Sequence, residues 1–561
     1  MTMNWRYRFV FIILTTFFIL VIFRLFYWQV VKAEMLSELA ISQYEGLIKI
    51  IPVRGRIKTS DGFEIGSNKV SYLLFANPKE VKDKNNIIDR LSSTIEIDES
   101  SASASLSRDK LWVSLKSGVS VEQKSDIEKF DLPGIGFEQK FNRFYPEASM
   151  AATLLGFVGK GSEGEDKGYF GVEGYYDRLL RGKESYFIEI RDALGRPILS
   201  RRNNNSNGTD GSNIILTIDR SIQFLAEEKI KKAIERYGAE GGAIGIIEPQ
   251  TGNIIAMASF PTFDPQNYAG YDENLYKNYF IANTFEPGST LKPIIMASAL
   301  DSGVVTPQTK CPICDKPVSV SGYELHTWND KYYKDTNMID VIRHSDNTGM
   351  AFVALRLGRD KIIHYLGKFG IGKLTDIDLQ GESFASLKPK DSWYDVDLAT
   401  TGFGQGISVT PIGLLSAFSA IANKGVIMQP RVVAAIEGTD GEITDIPIKI
   451  REKPISEKTA KVMTEILVNA VEKGEAQWAK FKGYRIAGKT GTASIPVAGH
   501  YDPESTIVSF IGFAPADDPK FAMLVILDKP TTSIYAAETA APVFFDIAKD
   551  LLTYYGIPPS E

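Results

Sequence analysis

The sequence predicts an α+β protein in three parts: an N-terminal transmembrane helix, a smaller α/β domain, and a larger domain in which helices flank an antiparallel sheet. Three observations carry this reading. An uncharged run, FVFIILTTFFILVIF, fills residues 9–23. A segment without one apolar residue, RRNNNSNGTDGSN, interrupts the chain at 201–213. Beyond it, helical patterns at both ends enclose two hairpin patterns, the layering of an α+β domain. At 561 residues the chain is long enough for roughly two to four domains.

The apolar character resumes after Arg24 in LFYWQVV, so a helix over 9–31 rises about 34 Å and crosses a bilayer with some tilt. No small-x-small cleavage site follows, which favours a retained anchor over a cleaved signal peptide. Arg6 and Arg8 precede the span. By the positive-inside rule residues 1–8 are a cytoplasmic tail, and everything after about residue 32 is extracytoplasmic.

After the anchor, VRGRIKTSDGFEIGS (53–67) reads as strand, turn at Asp61-Gly62, and strand. ESSASASLS (99–107) reads as a loop or a frayed helix edge. The turn-forming segment 201–213 marks a linker or exposed hairpin tip, so the first domain is placed at 45–205 and the second at 213–556. The second opens with the stretch 216–238, which holds a helix: Asp219 is its candidate N-cap, Ile222, Leu225, Ile230 and Ile234 recur as its apolar residues, and Gly238 stops it. GGAIGIIEPQTGNIIAMASF (241–260) is a hairpin turning at Gln250-Thr251-Gly252, and 506–528 is another. Residues 536–556 close the domain as a helix.

Composition excludes several classes. A net charge of −6 with no long basic run gives no electrostatic case for nucleic-acid binding. Four scattered histidines leave little material for a histidine-built metal site or a Ser-His-Asp triad.

Residues 483–490, GYRIAGKT, fit the phosphate-loop pattern G-x-x-x-x-G-K-[ST], and FAMLVILD (521–528) offers a partner aspartate. The context contradicts this. A phosphate loop opens a helix, whereas GTASIPVAGH follows here with two glycines and a proline. The strand ending at Asp528 follows a tight turn and runs antiparallel, where phosphate-loop enzymes use parallel sheets.

One frame later the same residues spell KTGT (489–492). Two other stretches complete a set. Ser289-Thr290-Leu291-Lys292 is S-x-x-K, and Ser345-Asp346-Asn347 is S-D-N. S-x-x-K alone arises by chance about twice in a chain of this length, and Ser107-Arg108-Asp109-Lys110 is such a copy on a solvated helix face. Ser289 differs in its setting: EPGS breaks and restarts the chain, placing it at a helix N-terminus with Lys292 one turn on. No histidine accompanies Ser289, so Lys292 serves as its base if desolvation and the Lys489 cation lower its pKa. Backbone N–H groups of Ser289 and Thr492 would form an oxyanion hole. Lys489 with the Thr490 and Thr492 hydroxyls, around Gly491, would bind a substrate carboxylate. Ser345 would relay a proton to the leaving amine, and Asn347 would hold the substrate backbone.

The chain resembles the class B penicillin-binding proteins over nearly its whole length. RLFYWQVV resembles the anchor end, VRGRI…DG, RFYPEASMAATLLGFVG (143–159) and GVEGYYDRLLRGK (171–183) the elongated N-terminal pedestal, and LTIDRSIQ, the three motifs and GFGQGISVTPIGLL (402–415) the penicillin-binding transpeptidase domain. The last stretch is expected as a turn and helix start beside the site. The resemblance implies a two-step acyl transfer in cell-wall synthesis, for division or elongation. Ser289 attacks the D-Ala–D-Ala bond of a peptidoglycan stem peptide and a neighbouring stem's amine then takes the acyl group. β-Lactams would acylate the same serine. No cofactor or metal is implied. The expected protein partner is a membrane glycosyltransferase of the shape, elongation, division and sporulation family.

Cys311 and Cys314, the only cysteines, are a local disulfide or a free pair; with His326 they fall short of four zinc ligands. The rival readings are a D,D-carboxypeptidase or β-lactamase-like hydrolase, and a non-catalytic β-lactam sensor or scaffold. The nearest match to the hydrolases' E-x-x-L-N is Glu465-Ile466-Leu467-Val468-Asn469, within what reads as an amphipathic helix over 456–474.

Overall fold

The computed structural model describes residues 4–191, 197–202, 208–497 and 500–559. The chain forms two compact units, Met1–Val53 with Gly182–Gly211, and Arg54–Arg181 with Ser212–Glu561.

In the first unit, helix α1 (Trp5–Phe26) continues through a π-helical turn at Tyr27–Val31. The helix starts earlier than expected and takes in Arg6 and Arg8. Within Trp5–Val31 an 18-residue stretch has a mean hydropathy of 2.7 and none of it is buried in the chain, so the helix is long and apolar enough to cross a membrane. A helix over Ala33–Tyr44 follows, and Glu45–Ile50, Ser185–Arg191 and Pro197–Arg202 form a three-stranded antiparallel sheet. Arg201 and Arg202 of the apolar-free segment lie in that sheet, and its residues 203–207 fall outside the described ones.

The second unit contains two large sheets. In the first, β1 (Ile57–Lys58) and β2 (Glu64–Ala76) form the expected strand–turn–strand, with Gly62 at φ +84° in the turn. The long β2 also pairs with β3 (Val113–Val119) and β4 (Ile135–Phe144). On its other side β1 pairs in parallel with β5 (Asn213–Leu216), which pairs with the strand Val433–Glu437. One sheet therefore joins residues from the chain's first, middle and last thirds. ESSASASLS is not a loop: Glu99–Leu106 is a helix. Asp98 caps it by accepting from the Ser100 N–H, and Ala102 and Leu106, one turn apart, bury one face.

A buried ion cluster holds this region. Glu173 is fully buried and receives Arg54 Nη2 at 2.6 Å and Arg143 Nε at 2.5 Å, while Arg54 Nη1 reaches Asp177 at 2.8 Å. Burial pushes the Glu173 carboxyl up, but the Arg143 and Arg54 charges and hydrogen bonds outweigh it and hold the group below its ordinary value.

In the second sheet β6 (Gly241–Ile247), β7 (Ile254–Phe260), β8 (Ala487–Val497), β9 (His500–Ala514) and β10 (Phe521–Asp528) stand in the order β7-β6-β10-β9-β8, all antiparallel. Both faces are covered, so β10 is apolar at nearly every position rather than at alternate ones. Met523, Val525 and Leu527 pack under helices α2 (Arg220–Tyr237) and α6 (Ala540–Tyr554). Ala522, Leu524 and Ile526 face the opposite core, which includes α3 (Lys292–Asp301), α4 (Pro411–Ala422) and α5 (Glu457–Lys473). Helix α2 has the expected ends: Asp219 accepts from Ile222 N–H, and Gly238 at φ +60° ends it. The closing helix begins at Ala540 rather than near 536.

Glu173→Ala is expected to destabilise the protein by about 3–5 kcal/mol, because it strands two buried guanidinium groups. Thermal unfolding of the full chain checks this. Because the folded-state pKa of Glu173 is depressed, its contribution is complete above the ordinary value of 4.5 and is lost as pH falls through the lower folded value.

Candidate active site

The geometry of the site begins with two glycines. Gly288 at φ +53° opens a short 3₁₀ turn, Gly288–Leu291, that runs into α3. Its N–H donates to the Gly404 carbonyl at 3.0 Å, and a Cβ on Gly404 (φ +82°) would overlap the Gly288 carbonyl. GFGQGISVTPIGLL is therefore the turn and helix start expected of it, with Thr410 capping α4. The Thr290 hydroxyl closes the Ser289 turn by donating to Pro287 O at 2.6 Å. Ser289 is left half-buried at the head of an apolar helix, and Lys292, one turn on, is fully buried.

Ser345 and Asn347 arrive on a chain reversal. Helix Met338–Arg343 ends, Ser345 takes φ +54°, and Asp346 caps the next helix, Asn347–Leu357, by accepting from Gly349 N–H at 3.1 Å. The middle residue of S-D-N thus has the capping role, while its neighbours face Lys292. Lys292 Nζ donates to Ser345 O at 2.5 Å, Asn347 Oδ1 at 2.8 Å and Ser345 Oγ at 3.2 Å. Ser345 Oγ donates to Ser289 Oγ at 3.0 Å. The amine therefore reaches the Ser289 hydroxyl through Ser345. Asn347 Nδ2 is anchored on His326 O at 3.0 Å, a partner the sequence offered no signal for.

KTGT lies in β8, the edge strand of the five-stranded sheet. Gly491 sits where a Cβ would come within 2.6 Å of both Thr290 Cγ2 and Ser509 Oγ, so its bare backbone lets the strand lie against the Ser289 turn. Thr492 is exposed, and its Oγ1 accepts from Ala536 N–H at 3.2 Å. Thr490 differs from expectation. Its hydroxyl is buried and donates to Glu475 Oε2 at 2.8 Å, while Lys489 Nζ donates to Thr490 Oγ1 at 2.8 Å. That hydrogen is committed to a buried carboxylate rather than left free to donate elsewhere.

Burial first, and then the Lys489 ammonium, push the Lys292 amine well below the ordinary lysine value; Glu475 and Asp346 oppose them. Burial lowers Lys489 too, and Glu475 opposes it. Both buried cations thus favour proton loss, Lys292 more strongly.

The phosphate-loop reading has no support in this geometry. Lys489 lies inside an antiparallel strand, and Asp528 accepts from the Tyr279 hydroxyl at 2.7 Å. Cys311 and Cys314 form a disulfide, and no metal-ligating cluster occurs among the described residues. Ser107 and Lys110 are exposed as expected but not on a helix face: the helix ends at Leu106, Ser107 caps it by donating back to Ser103 O, and Lys110 lies beyond it.

Residues 242–549 match the model of the penicillin-binding protein transpeptidase domain, and 49–216 that of the penicillin-binding protein dimerisation domain. The chain belongs to the class B penicillin-binding proteins. Its relatives include stage V sporulation protein D of Bacillus subtilis, 32% identical over 100% of this chain and 87% of that protein. Peptidoglycan D,D-transpeptidase FtsI of Escherichia coli is 29% identical over 96% and 89%. Among solved structures, a peptidoglycan synthetase from Bifidobacterium adolescentis superposes with a TM-score of 0.76 at 26% identity, covering 92% of this chain and 98% of its own.

For a penicillin-binding protein of this geometry, Gly404→Ala is expected to slow acylation by a fluorescent penicillin by about 100-fold, since it displaces the Ser289 turn. Gly303→Ala is the control. Gly303 also has positive φ (+72°) but nothing within 4 Å of a Cβ, so the rate should stay near wild type.

Proposed function

We propose that this protein is a peptidoglycan D,D-transpeptidase that crosslinks stem peptides through an acyl-enzyme on Ser289. The observation that carries the reading is the connected chain Ser289 Oγ, Ser345 Oγ, Lys292 Nζ and Asn347 Oδ1 at one buried amine.

As a neutral amine Lys292 has two N–H groups and one lone pair. The Ser345 and Asn347 carbonyl oxygens take the two N–H groups, and the third contact then reverses, with the Ser345 hydroxyl donating to nitrogen. Ser289 in turn gives its proton to Ser345 as its oxygen attacks the D-Ala–D-Ala carbonyl. The Ser289 and Thr492 N–H groups stabilise the oxyanion, and Lys489 with the Thr492 hydroxyl binds the terminal carboxylate. Collapse expels D-alanine, whose amine takes the proton back through Ser345. A second stem's amine then attacks the ester and releases Ser289. As an edge strand, β8 offers backbone groups with which an extended stem peptide pairs, and Asn347 holds the peptide on the other side.

The hydrolase reading is disfavoured by Glu465. It lies on α5 and pairs with Arg485 at 2.8 Å, so it is not presented to the Ser289 ester. We place residues 1–8 in the cytoplasm and the catalytic domain outside, with 45–205 as pedestal and 213–556 as transpeptidase domain. A membrane glycosyltransferase of the shape, elongation, division and sporulation family is the expected partner.

A fluorescent penicillin should label one peptide, that of Ser289. Labelling should vanish in Ser289→Ala, nearly vanish in Lys292→Ala, and be unchanged in Ser107→Ala; the adduct should outlast many minutes. No label on the folded wild type sinks the reading, and rapid turnover favours the hydrolase. The acylation rate should rise with pH through the depressed pKa of Lys292, because the base must be neutral, and fall once Lys489 loses its proton.

Topology is tested with Asp440→Cys at an exposed position. An impermeant maleimide should label it in intact cells, and protection until permeabilisation overturns the orientation.

A further inference from the structure

Glu475 belongs to none of the three motifs, yet it sits behind them. It follows α5 directly, after Gly474. A Cβ on Gly474 would lie 2.9 Å from Arg343 O, so the bare glycine lets the helix end abut the segment that leads into Ser345. From there Glu475 Oε2 accepts the Thr490 hydroxyl at 2.8 Å, and Thr490 Oγ1 accepts Lys489 Nζ at 2.8 Å. Glu475 Oε1 is buried and makes no hydrogen bond among the described residues. The cavity beside it, lined by Ile342, Arg343, Ala476, Lys489 and Thr490 among others, measures about 10 Å³. That is too small for a ligand, so the carboxylate acts on its neighbours.

We propose that Glu475 is a positioning residue for the reaction assigned above: it is the buried countercharge that keeps Lys489 an ammonium and turns the Thr490 hydroxyl away from the cleft. The proposal rests on the transpeptidase reading for its consequence, but its physical content is the charge state of Lys489.

The other charged and titratable groups around the pair fit this assignment. Arg343 is engaged with Asp340 at 2.8 Å and with His344 Nε2 at 2.9 Å. Burial and then Arg343 lower His344. Lys292 is in contact with Ser345 and Asn347. Asp346 Oδ1 is spent on the helix cap. Glu475 is thus the carboxylate hydrogen-bonded into the Lys489–Thr490 pair. Its charge also opposes proton loss at Lys292, so its effect on Lys489 must be read separately from that on the base.

The test uses the full chain with Glu475→Gln, which keeps shape and hydrogen bonding but removes charge, and with Glu475→Asp. The ¹³Cε signal of Lys489, assigned by its loss in Lys489→Arg, reads the charge directly. In Glu475→Gln its titration should move about one pH unit to acid, a tenfold loss of proton affinity, and Glu475→Asp should restore most of it. The alkaline limb of penicillin acylation should move with it, with about a 3–10-fold slower rate near pH 8 from weaker binding rather than slower chemistry. An unmoved Lys489 titration overturns the inference even where acylation slows. A loss uniform across pH with a lowered Tm also overturns it, as that marks a structural role. Absence of penicillin labelling in the wild type would instead count against the transpeptidase reading, and the ¹³C titration would still decide this one.

Discussion

The site depends on keeping one amine dry. Lys292 is buried at the start of an apolar helix, and water can solvate its charge only poorly there. Everything around it serves that constraint without cancelling it. The contacts at Ser345 O and Asn347 Oδ1 satisfy two N–H groups in either protonation state, so burial leaves no orphaned donor. Neither contact is a carboxylate. A carboxylate there would hold the proton on; carbonyl oxygens allow it to leave.

That amine is useful only if the reacting hydroxyl is held within one proton transfer of it, and backbone geometry does this. Ser345 occupies the left-handed region, which costs a non-glycine residue roughly 1–2 kcal/mol. Its carbonyl bond to Lys292 and the Asp346 cap that follows offset the strain. On the opposite side, Gly404 permits a backbone approach that a Cβ would prevent, Gly491 lets its strand lie against Thr290 and Ser509, and Gly288 sits tightly against Thr492 O. The Ser289 turn is clamped between a loop and an edge strand by the absence of side chains as much as by their presence.

Much of this was legible in the chain, for physical reasons that differ by element. The fully covered strand Phe521–Asp528 announces itself as an unbroken apolar run, and helix Arg220–Tyr237 by an Asp cap, a periodic face and a terminal glycine. The structure brings Ser289, Lys292, Ser345 and Asn347 together, and their spacing carries this in sequence: one helical turn in the first pair, one chain reversal in the second. The helix at Glu99–Leu106 was missed because serine and alanine carry little periodic contrast, and only Ala102 and Leu106 bury. The inward turn of the Thr490 hydroxyl was missed for another reason. Glu475 reaches it only because a helix end folds behind the strand, and a lone glutamate beyond a glycine carries no local signal.

The molecule buries charge in two places, and the contrast separates scaffold from machinery. Glu173 meets two guanidinium groups at hydrogen-bond distance, and their attraction exceeds the desolvation it suffers, so it stays ionised over the whole physiological range. Such a group cannot exchange protons usefully; it fixes geometry. Lys292 is equally buried, but its hydrogen-bond partners are neutral oxygens, and burial with the Lys489 cation outweighs the opposing Glu475 and Asp346 charges, so its proton is easily lost. The same penalty that makes the first cluster a staple suits the second to accept a proton. What differs is only whether the chain brings a full countercharge into the dry volume, and between those limits lies Lys489, whose carboxylate stands one hydroxyl away.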